Sequence, residues 1–146
     1  MKEIVPGLYY LTGMVAGRVY LIEDADGLTL IDTALPFSPP TIMKQINLMG
    51  READDVKRII ITHAHPDHVG GLRKLKELTN ASVIASEEER QVLEFGQPVP
   101  RVDRKRLSGL VRLLVPPETR YPSVAVDRVV KDGDILPEVM GGLEVI

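Results

Sequence analysis

Apolar and polar positions alternate with two different periods along this chain. Ile4 to Leu11 and Val15 to Glu23 are rich in Val, Ile, Leu and Tyr and predict strands, with Thr12-Gly13 between them. Asp24-Ala25-Asp26-Gly27 predicts a turn because Asp-Gly favours positive φ, and Leu28 to Asp32 returns as a strand, giving a β-meander. From Pro39-Pro40 the period lengthens. Ile42, Met43, Ile46 and Met49 share one helical face, and Gly50 closes the helix. Val56 to Thr62 is a further strand. Leu72, Leu75 and Leu78, with Arg73, Lys74, Lys76 and Glu77 outward, then predict an amphipathic helix running from Val69 to Thr79-Asn80. Ala81 to Ala85 is a short strand. Ser86-Glu87-Glu88-Glu89 reads as a capping box with Ser86 as N-cap and Glu89 three residues on, so the acidic run suits the positive end of a helix rather than a metal.

Residues 97–123 are the least regular, interrupted by Pro98, Pro100, Pro116, Pro117 and Pro122. Within them Arg101, Arg104, Lys105, Arg106 and Arg112 interleave with Leu107, Leu110, Val111 and Leu114. This pattern predicts an amphipathic helix with a solvated basic face between proline hinges. The other reading is a lid whose cations attract an anionic substrate. The chain closes on the strand-like run Leu143-Glu144-Val145-Ile146.

Chemistry is concentrated in one place. All 3 histidines of the chain fall in the run His63-Ala64-His65-Pro66-Asp67-His68, directly after the apolar run Ile59 to Ile61 and Thr62. Three imidazoles and a carboxylate at the mouth of a buried strand suit a divalent metal, zinc first among them. On extended backbone, His63 and His65 point the same way and converge on one point. Pro66 keeps His65 extended and suits the first turn of a helix. Asp67 and His68 then project from a bend, as a second ligand pair. Gly70-Gly71 is expected to let the backbone pass close to the metals or their ligand. With 0 cysteines, a thiolate zinc ribbon is excluded.

Thr62 to Gly71 resembles the T-H-x-H-x-D-H-x-G-G signature of the metallo-β-lactamase-fold hydrolases. Leu28 to Thr33 is similar to that family's strand ending in an aspartate. Asp132-Gly133-Asp134 and Gly141 to Ile146 are similar to the segment before its next metal histidine. The resemblance implies an α+β fold, the αβ/βα sandwich, with residues 1–146 as a single domain covering roughly its first half and the start of the second. It implies His63 and His65 on one metal, Asp67 and His68 on the other, Asp67 as the catalytic carboxylate and Asp32 as an aspartate that orients the ligands from behind. Two zinc ions per complete site are expected, with Fe or Mn as alternatives. The family completes its sites with further histidines and a bridging aspartate; no histidine follows His68, so each site keeps two protein ligands and the domain reads as C-terminally incomplete. The implied reaction is hydrolysis of an ester, thioester, lactone or phosphoester in a small-molecule substrate. The other reading is an inactive half-domain that binds metal weakly or pairs with a complementary chain, and the uncovered C-terminal strand is an expected surface for self-association.

Composition narrows the setting. At 146 residues, 44% hydrophobic and 27% charged, the chain is long enough for one core, with about two-thirds of its unfolded surface buried. A net charge of −3 argues against nucleic acid as a partner. The charge and Pro6-Gly7 break at the start do not fit a signal peptide, and no apolar stretch approaches the ~20 residues of a membrane span. A cytoplasmic protein is the expectation, consistent with the lack of disulfides.

Overall fold

The structure is a computed structural model that describes residues 1–95 and 122–146. The basic segment read as a helix or a lid lies, in its helical part, outside the described residues. The strands are β1 (Lys2–Val5), β2 (Leu8–Leu11), β3 (Val19–Asp24), β4 (Gly27–Ile31), β5 (Val56–Ile60), β6 (Ser82–Ser86), β7 (Arg128–Val130), β8 (Ile135–Leu136) and β9 (Leu143–Glu144). The helices are α1 (Pro39–Leu48), α2 (Pro66–Val69), α3 (Leu72–Thr79) and α4 (Glu87–Phe95). β1 to β7 form one mixed sheet in sequence order, and β8 and β9 form a separate hairpin. β1 to β4 are an antiparallel meander; β4 to β7 are parallel, joined by helical crossovers.

Two predicted strands are shorter than their apolar runs. Pro6-Gly7 divides Ile4 to Leu11 into the hairpin of β1 and β2, because Pro supplies no N–H and Gly7 takes φ +81°. Residues 12–18 form a loop, and pairing resumes only at Val19.

The sheet is apolar on both faces in its parallel half, as crossover topology requires. One face packs Leu21, Leu30, Ile59 and Val83 against Ile42 and Ile46 of α1, Leu72 and Leu75 of α3 and Leu93 of α4. The other packs Ile22, Ile84 and Val130 against Leu136 and Val139 around the β8–β9 hairpin, with Ile31 and Ile60 partly covered. A fully buried Leu or Ile is worth about 1.5–3 kcal/mol, so this two-sided burial is the main force holding the parallel strands in register. Leu78 departs from the prediction. It stays 43% exposed, because the buried stripe of α3 runs through Leu72, Leu75 and Thr79 and Leu78 falls to its side. The C-terminal run pairs through Leu143 and Glu144 with β8 in the two-stranded sheet.

At the bottom of the sheet Arg58 on β5 is buried. Its guanidinium donates to both oxygens of Asp26 at 2.6 Å and to Thr29 Oγ1 at 2.9 Å, and lies beside Asp24, whose side chain is largely buried. Hydrogen bonding from Arg58 outweighs burial and holds the Asp26 carboxyl below its ordinary value near 3.8. Asp24 in turn accepts the N–H of Met140 at 2.7 Å, fastening the β3–β4 turn to the β8–β9 hairpin. The opposite end of the sheet, where β4, β5 and β6 finish, is left for chemistry.

Candidate metal centre

In an open parallel sheet, ligands are received outside the carboxyl ends of the strands, and that is where the histidine run emerges. Neighbouring β4, β5 and β6 align Ile31, Ile60 and Ile84 in register. Just past them the chain leaves the sheet at Asp32, at Thr62 and at Ser86, so all three exits face one small volume.

His65 is extended at φ −84° and ψ 151°, and Pro66 begins α2, as its imide geometry favours. The three imidazoles come together. His63 and His65 have ring centroids 4.6 Å apart and nearly perpendicular planes; His63 and His68 have centroids 3.9 Å apart. Asp67 Oδ2 lies 3.7 Å from His68 Nε2. The four side chains are half-buried, at the surface rather than in the core.

Asp32 is 4% exposed and sits at φ +61°, a conformation that Asp tolerates better than most residues. Its Oδ1 accepts the Thr62 N–H at 2.9 Å, and its Oδ2 accepts the Thr62 hydroxyl at 2.7 Å. The same Oδ2 lies 2.8 Å from His68 Nδ1. An ionised carboxylate only accepts, so His68 carries its proton on Nδ1 and keeps the Nε2 lone pair free. The Thr62 hydroxyl, having given its proton to Asp32, can only accept from His63 Nδ1 at 3.0 Å. His63 therefore has the same tautomer. One buried carboxylate thus sets two imidazoles, one directly and one through a hydroxyl, with the free nitrogen of each available to a cation.

Sequence reading missed Thr62 as part of this chain of bonds and Glu89 as a neighbour of the site. Thr62 stood in the motif; a β-strand exit beside an aspartate was the available signal. Glu89 Oε2 accepts the Ala64 N–H at 2.7 Å, while the predicted cap survives as the Glu89 N–H donating to Ser86 Oγ at 3.3 Å. Two buried threonine contacts complete the support: both the N–H and the hydroxyl of Thr33 donate to the His68 carbonyl at 2.7 Å.

The glycines do a different job from the one expected. A Cβ at Gly70 would meet Pro36 at 2.5 Å, and one at Gly71 would meet the Thr33 carbonyl at 2.7 Å. They let the loop after β4 pack beneath α2, rather than giving a metal access. The close approach on the ligand side is made by Gly17 of the β2–β3 loop, whose Cβ would lie 1.8 Å from the Asp67 carbonyl oxygen at φ +77°. Gly17→Ala is expected to push Asp67 or the loop aside, at a cost of about 1–3 kcal/mol in stability. A urea midpoint within error of the native protein's would contradict this.

The donor types suit a borderline divalent cation, and the free Nε2 atoms are those a metal needs. The number falls short: among the described residues no group of three or more His, Asp or Glu side chains is placed to hold an ion. The expected assignment gives each cation two donors, where a catalytic zinc typically takes three and a water.

A family model described as the metallo-beta-lactamase superfamily matches residues 12–146. Among curated proteins, a hydroxyacylglutathione hydrolase of Rhodopseudomonas palustris is 30% identical over 95 residues, covering 64% of this chain and 33% of that protein. The probable metallo-hydrolase YflN of Bacillus subtilis is 28% identical over 128 residues, covering 86% and 47%. Among solved structures, the subclass B3 metallo-beta-lactamase BJP-1 of Bradyrhizobium japonicum superposes with a TM-score of 0.72 at 34% identity, covering 92% of this chain and 46% of that one. The chain thus spans half or less of the length of these relatives.

Proposed function

This chain belongs to the metallo-β-lactamase superfamily, and from that premise we propose that the complete protein is a hydrolase holding two divalent cations, zinc in the first instance. Its substrate is a small molecule with an ester, thioester, lactone or phosphoester bond. The observation that carries the reading is the set of three adjacent imidazoles, two of them held by Asp32 and Thr62 with Nε2 free. His63 and His65 would hold one cation, and Asp67 and His68 the other. A relative named as a hydroxyacylglutathione hydrolase supports including acyl bonds in the substrate class.

A bound divalent cation supplies an acidified water and polarises the carbonyl or phosphoryl oxygen under attack. The chain's own residues do the rest. The Asp67 carboxylate, acceptor only when ionised, orients the attacking water or takes its proton. Asp32 keeps two imidazoles correctly turned, and Thr62 carries that control to His63. Gly17 lets the β2–β3 loop pass close against the Asp67 backbone.

A second reading is favoured by the two-donor count. In it the product is a catalytically inactive half-domain that binds metal weakly or pairs with a complementary chain. Metal analysis and a hydrolysis screen on the complete protein separate the two. The hydrolase reading expects about two equivalents of metal per chain and turnover of at least one of the four bond classes. A complete protein that carries no metal and hydrolyses none of them sinks it.

A further inference from the structure

The loop that presents the histidines has left the sheet and has no ladder to hold it. Its last sheet bond is the Ile61 N–H to the Ile84 carbonyl at 2.9 Å. Beyond that point the backbone donors need other partners. The Thr62 N–H goes to Asp32, from the β4 side. The Ala64 N–H goes to Glu89, from the β6 side, at 2.7 Å. Ala64 is 3% exposed and stands between His63 and His65, so the orientation of its peptide governs both rings.

Glu89 reaches this point by a departure from its expected role. In a capping box the third-position carboxylate turns back to the N-cap N–H. Here the backbone half of the box is made, the Glu89 N–H donating to Ser86 Oγ, while the carboxylate turns outward to Ala64. The base beneath it is firm. α4 buries Leu93, whose carbonyl accepts the Val124 N–H at 3.0 Å, and Glu94 accepts the Val126 N–H at 3.4 Å.

We propose that Glu89 is a positioning residue for the His63–His65 pair: by holding the Ala64 peptide from α4, it fixes the relation of the two imidazoles and so sets how tightly they grip a divalent cation. The role rests on the metal-hydrolase reading and extends it to a carboxylate that touches no cation. Two carboxylates that follow the strands flanking β5, Asp32 just after β4 and Glu89 on α4 after β6, then clamp the histidine loop from opposite sides, Asp32 through Thr62 and His68, and Glu89 through Ala64.

Cobalt titration of the complete protein, followed by its visible absorption, tests this beside amide exchange at Ala64 without metal. E89Q keeps the length and an acceptor oxygen but no charge; E89D keeps the charge but is one methylene short. E89A is expected to expose the Ala64 amide to exchange and to weaken cobalt binding about tenfold or more. E89D should behave like E89A, and E89Q should recover most of the affinity. Native-like affinity and Ala64 protection in E89A or E89D overturn the role. So does E89D retaining affinity that E89Q loses, since charge rather than reach would then be acting. If the unsubstituted protein takes up no cobalt, the metal-hydrolase reading itself falls, a result distinct from any difference among the variants.

Discussion

Asp67→Ala in the complete protein is expected to lower kcat by about 10²–10⁴-fold, the range associated with losing a positioned general acid or base. In the proposed mechanism the side chain combines two duties. Its carboxylate stands 3.7 Å from His68 Nε2, close enough to share a cation with that imidazole. It is also half-buried at the surface of α2, where an attacking water would be reached. Alanine removes the ligand and the proton acceptor together, so metal content should fall towards about one equivalent as kcat falls. Asp67→Asn separates the two roles. The amide oxygen can still orient a water but cannot accept its proton, so kcat should stay low even where some metal is retained. An Asp67→Ala protein with native kcat would mean that the catalytic carboxylate lies elsewhere.

The second large effect is expected from Asp32→Asn, a change of one atom that leaves volume intact and that the φ of +61° tolerates, since asparagine is also favoured there. Asp32 accepts three hydrogen bonds, from the Thr62 N–H, the Thr62 hydroxyl and His68 Nδ1. With the amide oxygen kept on the Thr62 N–H, the amide nitrogen faces the other two groups as a donor. His68 must then offer a lone pair from Nδ1 and move its proton to Nε2. Thr62 must accept from the amide and donate to His63 Nδ1, which turns His63 to the same wrong tautomer. Both cation-facing lone pairs are lost through one substitution. Metal affinity should drop by about 10–100-fold, and nitrogen NMR of the imidazoles should show the proton on Nε2 in both. Nδ1-protonated rings in the Asp32→Asn protein would refute the relay through Thr62.

Neither effect follows from the motif alone, and the reason lies in where the partners come from. The helix of Ile42 and Ile46, the strand of Val56 to Ile60 and the amphipathic turn of Leu72 and Leu75 were legible because each depends on neighbours three or four residues away, or on a single apolar run. Leu78 was misread by the same rule: the face that is covered runs through Leu72, Leu75 and Thr79, a polar residue that an apolar count passes over, and Leu78 falls beside it. Gly70 and Gly71 were assigned to a ligand because glycines beside histidines invite it. Their space is in fact taken by Pro36 and Thr33, which come from another part of the chain.

On its own, the sequence determined which candidate donors stand together. His63, His65, Asp67 and His68 fall within six positions, extended backbone followed by Pro66 sets their directions, and no distant contact is needed to bring them together. The tertiary structure decided which nitrogen His63 and His68 offer and how stiffly the loop is held. Those properties belong to Asp32, 36 residues from His68, to Glu89, 25 residues from Ala64, and to Gly17 against Asp67. A hydrogen bond depends on distance and direction in space, and only the parallel pairing of β4, β5 and β6 brings those strand ends within reach of one another.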